Sequence, residues 1–125
     1  MYKHLLYIIL IVLAITGCKS NTELSMERGE YYYNTNQLEL AIQEYKKVLR
    51  NSPSDISNLN DHEVKMIANA YHNIAIAYWK RGHKLEGVAK EHYYDLAVHA
   101  AKKSYNIYPK DIYKEHWDSI AKAQK

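Results

Sequence analysis

Asp61-His62-Glu63-Val64-Lys65-Met66-Ile67-Ala68-Asn69-Ala70-Tyr71-His72-Asn73-Ile74-Ala75-Ile76-Ala77-Tyr78 carries the longest unbroken apolar line in the chain. Val64, Ile67, Tyr71, Ile74, Ala75 and Tyr78 recur at the spacing that gathers side chains on one face of an α-helix. Asn60 or Asp61 can cap its start, and Gly82 ends it. The same periodicity extends in both directions. Upstream, Ser20-Asn21-Thr22-Glu23 reads as the capped start of a helix running to about Asn34. A second helix carries Leu38, Ala41, Ile42, Tyr45, Val48 and Leu49 and stops at Asn51-Ser52-Pro53. The stretch from Ser54 to Asp61 reads as a polar connection with Ile56 and Leu59 tucked in. Downstream, a long helix is expected from about Lys84 to Ile107, with Gly87 as an early break and Pro109 closing it. If it is continuous, Leu85, Val88 and Ala89 extend beyond an ordinary hairpin and need a neighbour. Asp111 to Ala123 forms a last helix with Ile112, Trp117 and Ile120 on one side. The class is therefore all-α, built from antiparallel helix hairpins.

Composition narrows the function. The 125 residues hold 17 Lys and Arg against 14 Asp and Glu, a formal charge of +3, and the two signs alternate along the chain. Nucleic-acid binding needs a basic face, so no nucleic-acid partner is expected. Phe is absent and Tyr occurs 13 times, so tyrosines do much of the aromatic packing and each buried ring brings a hydroxyl that needs an outlet.

Two stretches share one order of residue types. The first is Gly29-Glu30-Tyr31-Tyr32, then Leu38, Ala41, Tyr45, Val48 and Pro53. The second is Asn73-Ile74-Ala75-Ile76-Ala77-Tyr78 with Gly82, then Tyr94, Ala97, Ala101 and Pro109. In order and spacing both resemble the tetratricopeptide repeat. Small residues, Gly29 and Ala75 against Ala41 and Ala97, let paired helices approach, and tyrosines fill the space beyond. The second copy departs from the family's spacing by about ten extra residues between Gly82 and Tyr94, with a similar excess between Pro53 and Ala68. Ala101 stands where a large aromatic is usual. The resemblance implies a short solenoid of about two repeats plus a C-terminal capping helix. It also implies a concave groove lined by the first helix of each repeat. By register the groove residues are Glu23, Met26, Glu30, Tyr33 and Asn34 in the first copy, and Asn69, His72, Ile76, Trp79 and Lys80 in the second. Trp79 lies off the packing line and reads either as a peptide anchor or as packing on the neighbouring copy. Glu30 and Ile76 stand where carboxylate-clamp members have asparagine, which argues against recognition of a peptide's C-terminal carboxylate. An extended peptide or a partner helix is the expected ligand.

Met1-Tyr2-Lys3-His4, an apolar run from Leu5 to Ile15, and then Thr16-Gly17-Cys18 follow secretory-signal grammar, and the run is short for a spanning helix. Ile15-Thr16-Gly17-Cys18 resembles the bacterial lipobox. The resemblance implies a signal peptide over 1–17, a lipid on Cys18, a short tether over 18–21, and a helical domain over 22–125. Lys19 in place of Asp implies, for a bacterium with two membranes, the outer membrane with the domain in the periplasm. Cys18 is the only cysteine, so neither an intramolecular disulfide nor a CxxC site is available.

Catalytic signatures are few. His92, Asp95 and His99 fall on one side of the fourth helix at spacings that can ligate a metal. Tyr94, Ala97, Ala101 and Tyr105 lie on the opposite side, so the trio is expected in water, and neither a metal nor another cofactor is expected beyond the covalent lipid. There is no phosphate-binding glycine loop, GxSxG elbow or HExxH. The reading is an envelope adaptor without enzymatic activity, acting through protein partners of an assembly or secretion complex. Because two repeats and a cap leave apolar surface over, self-association is a further expectation. Two alternatives are a metal-dependent periplasmic hydrolase built on His92, Asp95 and His99, and a carrier of a small hydrophobic ligand, which would need a closed pocket.

Overall fold

A computed structural model describes residues 2–4 and 19–125. Cys18 and nearly all of the expected 1–17 signal lie outside the described residues. From Lys19 onward the chain forms α1 (Asn21–Asn34), α2 (Leu38–Arg50), α3 (Asp61–Gly82), α4 (Gly87–Ile107) and α5 (Asp111–Gln124). No strand occurs among the described residues. None of the described helices is long and apolar enough to cross a membrane.

The helix starts follow from local chemistry. Ser20 Oγ accepts from Glu23 N at 3.2 Å while Ser20 N donates to the Glu23 carboxylate at 2.9 Å. Asn60 and Glu63 make the same reciprocal pair, both bonds 2.9 Å. Each box satisfies two of the backbone N–H groups that a helix start leaves unpaired. The first box makes Ser20 the cap and Asn21 the first residue of α1, so two residues of the stretch expected as tether, 18–21, belong to the helix start.

A second boundary also differs from expectation. The fourth helix begins at Gly87 rather than Lys84, because Gly87 takes φ +60°, a left-handed conformation that glycine adopts without strain. Lys84 and Leu85 belong instead to the turn, with Lys84 N donating to Arg81 O and Leu85 N to Gly82 O, both at 3.1 Å. Val88 is 81% exposed. Between α1 and α2, Asn36 supplies the left-handed residue, φ 60°, and Gln37 N returns to Tyr32 O at 2.8 Å. Lys84 Nζ donates to Asn36 Oδ1 at 2.9 Å, tying the two turns together.

Side-chain pairs set the directions. Gly29 meets Tyr45, Glu39 pairs with Arg81, Ser104 reaches Ala68, and Tyr105 stacks near Trp117, so consecutive helices run antiparallel. Glu23 approaches His62 and Tyr33 lies under Lys80, so α1 and α3 run parallel. Lys65 lies over the Tyr108 ring, and further along α3 His72 lies against Tyr113 and stacks on His116, which sets α5 alongside α3 in the same direction. Each helix packs mainly on its neighbours in sequence, with a smaller α3–α5 contact. The result is two layers, with α1, α3 and α5 on one side and α2 and α4 on the other.

The core is one cluster that includes Ala41, Ile42, Tyr45, Ile74, Ala75, Ala77, Tyr78, Ala97, Ala100, Ala101 and Ile120. Its many alanines bring helix backbones close, and the large rings occupy what space is left. A Cβ on Gly29 would lie 2.4 Å from the Tyr45 ring, and one on Gly82 2.6 Å from the Tyr94 ring. Gly82 thus ends α3 and also gives Tyr94 its seat. Ser104, fully buried, donates from Oγ to Ala68 O at 2.8 Å, satisfying the one hydroxyl that α4 sends into the α3 backbone.

Candidate binding groove

The parallel run of α1 and α3 leaves a trough between them, closed behind by α2 and flanked by α5. Its middle lobe encloses about 480 Å³. Met26, Glu27, Glu30, Tyr33 and Asn34 line it from α1, Asn69, His72, Asn73 and Ile76 from α3, Tyr45 from α2, and His116 from α5. A second lobe of about 520 Å³ opens toward the start of both helices, where Glu23, Lys19, His62, Lys65, Met66, Lys110 and Tyr113 contribute. Met26, Glu27 and Asn69 belong to both lobes, so the two are continuous.

Helix geometry explains the membership. Met26, Glu30 and Tyr33 lie one turn apart on α1, as do Asn69, Asn73 and Ile76 on α3, and the two rows face across the trough. The floor differs from the walls. Tyr45, only 2% exposed, comes through from α2, and burial together with the Glu30 charge pushes its phenol up to about 12. Its hydroxyl is therefore neutral at physiological pH.

His72 and His116 form the most unusual part of the wall. His72 Nε2 and His116 Nδ1 are 3.1 Å apart, with the rings nearly parallel at 9°. The Tyr113 ring lies 4.6 Å from that of His72. Burial, then the charges of His116 and Lys110, lower the His72 pKa from 6.5 to about 4, so the ring is neutral at pH 7. His72 Nδ1 is buried without a partner. Placing the proton on Nε2, donated to His116 Nδ1, leaves a bare lone pair there rather than an orphaned N–H, which is the rarer arrangement in proteins.

In the lobe at the helix starts the charges are mostly matched. Lys19 pairs with Glu27, Lys65 with Asp61 at 2.6 Å, and Glu23 lies 3.6 Å from His62. The Glu23 carboxyl is held below its usual range chiefly by the Ser20 backbone N–H. Lys110 lies over the Tyr108 and Tyr113 rings.

Of the residues assigned to the groove from sequence, Met26, Glu30, Tyr33, Asn34, Asn69, His72 and Ile76 line the middle lobe and Glu23 the other. Lys80 stands at the rim with its ammonium 4.6 Å from the Tyr33 ring centroid. Trp79 lines neither lobe. It is half-buried against the core, its Nε1 is enclosed without a hydrogen-bond acceptor, and its ring meets His83 edge-on at 4.9 Å. Tyr45, Asn73 and His116 were not read as groove residues. Asn73 was accessible to a helical wheel, one turn from Asn69. His116 was not, because its place depends on where α5 docks.

His92, Asp95 and His99 are all exposed, and Asp95 accepts a hydrogen bond from Gln124. Among the described residues no three His, Cys, Asp or Glu side chains come together as a metal-binding group. No family model matches the chain, and neither a characterised protein nor a solved structure is significantly similar to it.

Proposed function

We propose that the chain is a lipid-anchored adaptor of a bacterial envelope, a tetratricopeptide-like protein that holds an extended peptide segment of a partner in the trough between α1 and α3. The observation that carries this reading is the chemistry of the two facing rows. Asn34, Asn69 and Asn73 make no side-chain hydrogen bond to other described residues, while Met26, Ile76 and the Tyr33 ring supply apolar surface between them. Amides one helical turn apart lie about 6 Å from each other, close to the repeat of alternate residues in an extended chain at about 6.6 Å. Such a chain offers backbone donors and acceptors at that interval, and the apolar positions take its side chains.

The lipid reading is supported by the Ile15-Thr16-Gly17-Cys18 pattern, and the periplasmic side of the outer membrane by Lys19. Two hairpins in sequence with α5 parallel to α1 and α3 support the repeat reading. Peptides displayed on phage and selected on the detergent-solubilised full chain test the groove. Selected peptides are expected to bind Ile76→Glu at least tenfold more weakly, whereas equal binding, or no enrichment at all, would refute the groove as the site.

A further inference from the structure

Glu30 carries the one trough charge that the described residues leave unanswered. It makes no ion pair and no hydrogen bond with any of them, whereas the other trough carboxylates are engaged, Glu23 by Ser20 N and Glu27 by Lys19. No Lys or Arg lines the middle lobe, so with Glu27 neutralised the Glu30 charge stands uncompensated there. Lys80, at the rim, holds its ammonium over the Tyr33 ring, 4.6 Å from the centroid, and not on Glu30.

A second polar group reaches the same lobe from beneath. Tyr45 comes from α2 against Gly29, where the missing side chain leaves room for its ring: a Cβ there would lie 2.9 Å from Cζ, the carbon that bears the hydroxyl. The residue is only 2% exposed and lines the middle lobe, yet its hydroxyl makes no hydrogen bond to another described residue. A phenol buried that deeply ordinarily has a partner. Burial, then the Glu30 charge, then Tyr33 push its pKa up to about 12, so the hydroxyl stays neutral beside the carboxylate. Asn34, one turn beyond Glu30 on α1, and Asn73 on the facing wall add amide oxygens to the same lobe.

Oxygen acceptors gathered around an unpaired carboxylate suit a donor that is itself positive. A guanidinium brings five N–H donors and an ammonium three, and either one offsets the charge. An acidic side chain would meet Glu30 with no lining cation to receive it. We propose that Glu30 and the Tyr45 hydroxyl form a subsite for an arginine or lysine side chain of the extended partner segment. The proposal rests on the peptide-binding reading above and gives it a sequence preference, one basic residue at a fixed place with apolar residues along Met26 and Ile76. Glu30 is exposed while the trough is empty, so the free protein strands no buried charge, and a bound segment covers the carboxylate together with the cation that offsets it.

The test selects random-sequence peptides displayed on phage, in parallel on the detergent-solubilised full chain and on its Glu30→Gln variant. The wild type is expected to enrich Arg or Lys at one position, and Glu30→Gln to lose that preference while keeping the apolar pattern. In a synthetic copy of a selected peptide, replacing the basic residue by Gln should weaken binding to the wild type about tenfold and to Glu30→Gln less than about twofold. Tyr45→Phe keeps the buried ring and should weaken the basic peptide but not its Gln counterpart. The exchange made in the peptide reads the preference without altering the protein, whatever the variants do to folding. Peptides that lose affinity on Ile76→Glu yet show no basic preference would refute the subsite alone, with Lys80 or water left to serve Glu30. A basic preference that Glu30→Gln leaves intact would refute it too. Enrichment of no peptide at all would overturn the trough reading and the subsite with it.

Discussion

Gly29→Ala is a small change with a computable outcome. In a helix interior the substitution by itself stabilises by about 1 kcal/mol, because glycine loses more backbone freedom on folding. Here the new methyl would lie 2.4, 2.7 and 2.9 Å from three carbons of the Tyr45 ring. That ring is 2% exposed and enclosed between layers, so it cannot swing aside. Relieving the overlap means parting α1 from α2 or forcing an off-rotamer ring, which costs about 1–3 kcal/mol in overpacked cores and is only partly offset by the propensity gain. We expect a net loss of up to about 2 kcal/mol in urea denaturation of the 19–125 fragment followed by circular dichroism. Tyr45→Val removes the obstructing ring atoms, and in that background Gly29→Ala should reverse sign and stabilise by about 0.5–1 kcal/mol, a coupling of about 2 kcal/mol. If Gly29→Ala stabilises the wild type as much as it stabilises the Tyr45→Val variant, the close approach of α1 and α2 through this pair is wrong.

The remaining predictions concern protonation, metal and lipid. His72 is lowered to about 4 in the folded state against 6.5, so it favours folding fully above pH 6.5 and progressively less as pH falls toward 4. The full shift corresponds to about 3 kcal/mol, and with the ring partly open to solvent about 1–2 kcal/mol is expected; a His72→Gln variant should lose that part of the acid sensitivity, and identical pH profiles would contradict the assignment. Replacing His92 and His99 together with Gln should change neither stability nor bound zinc, measured by elemental analysis; stoichiometric zinc lost in the double variant would promote the hydrolase alternative. Cys18→Ser should abolish incorporation of an alkyne fatty acid and leave unprocessed precursor, and undiminished label would end the lipoprotein reading.

Helix positions were legible because their signals are local. Ser20 with Glu23, Asn60 with Glu63, and the prolines at 53 and 109 each act within a few residues. Gly87 shows where local reading was less decisive: the apolar pattern continues through Leu85, and only the backbone conformation at residue 87 fixes the start of α4. In the groove, the residues of α1 and α3 were readable from helical period and repeat register. The contributions of Tyr45 and His116 were not, since one enters from the second layer and the other from a helix whose docking is set by long-range packing. Trp79 is the instructive residue. Lying off the apolar line of its helix, it reads equally as an exposed anchor or as packing, and the enclosure of its indole nitrogen near His83 places it against the core.

Because each helix leans mainly on its sequence neighbours, the chain closes few long loops as it folds, and such local topologies fold quickly. The α3–α4 hairpin, the longest and most extensively packed pair, is the natural place for order to begin and the last to be lost. Cooperativity in such an array is passed from neighbour to neighbour, so its outer helices can open while the centre persists. α1 is one of those outer helices and also the one that follows the cysteine. With the proposed lipid on Cys18, opening α1 would lengthen the link to the folded remainder by tens of ångströms at about 3.3 Å per extended residue, letting the domain search outward for a distant partner.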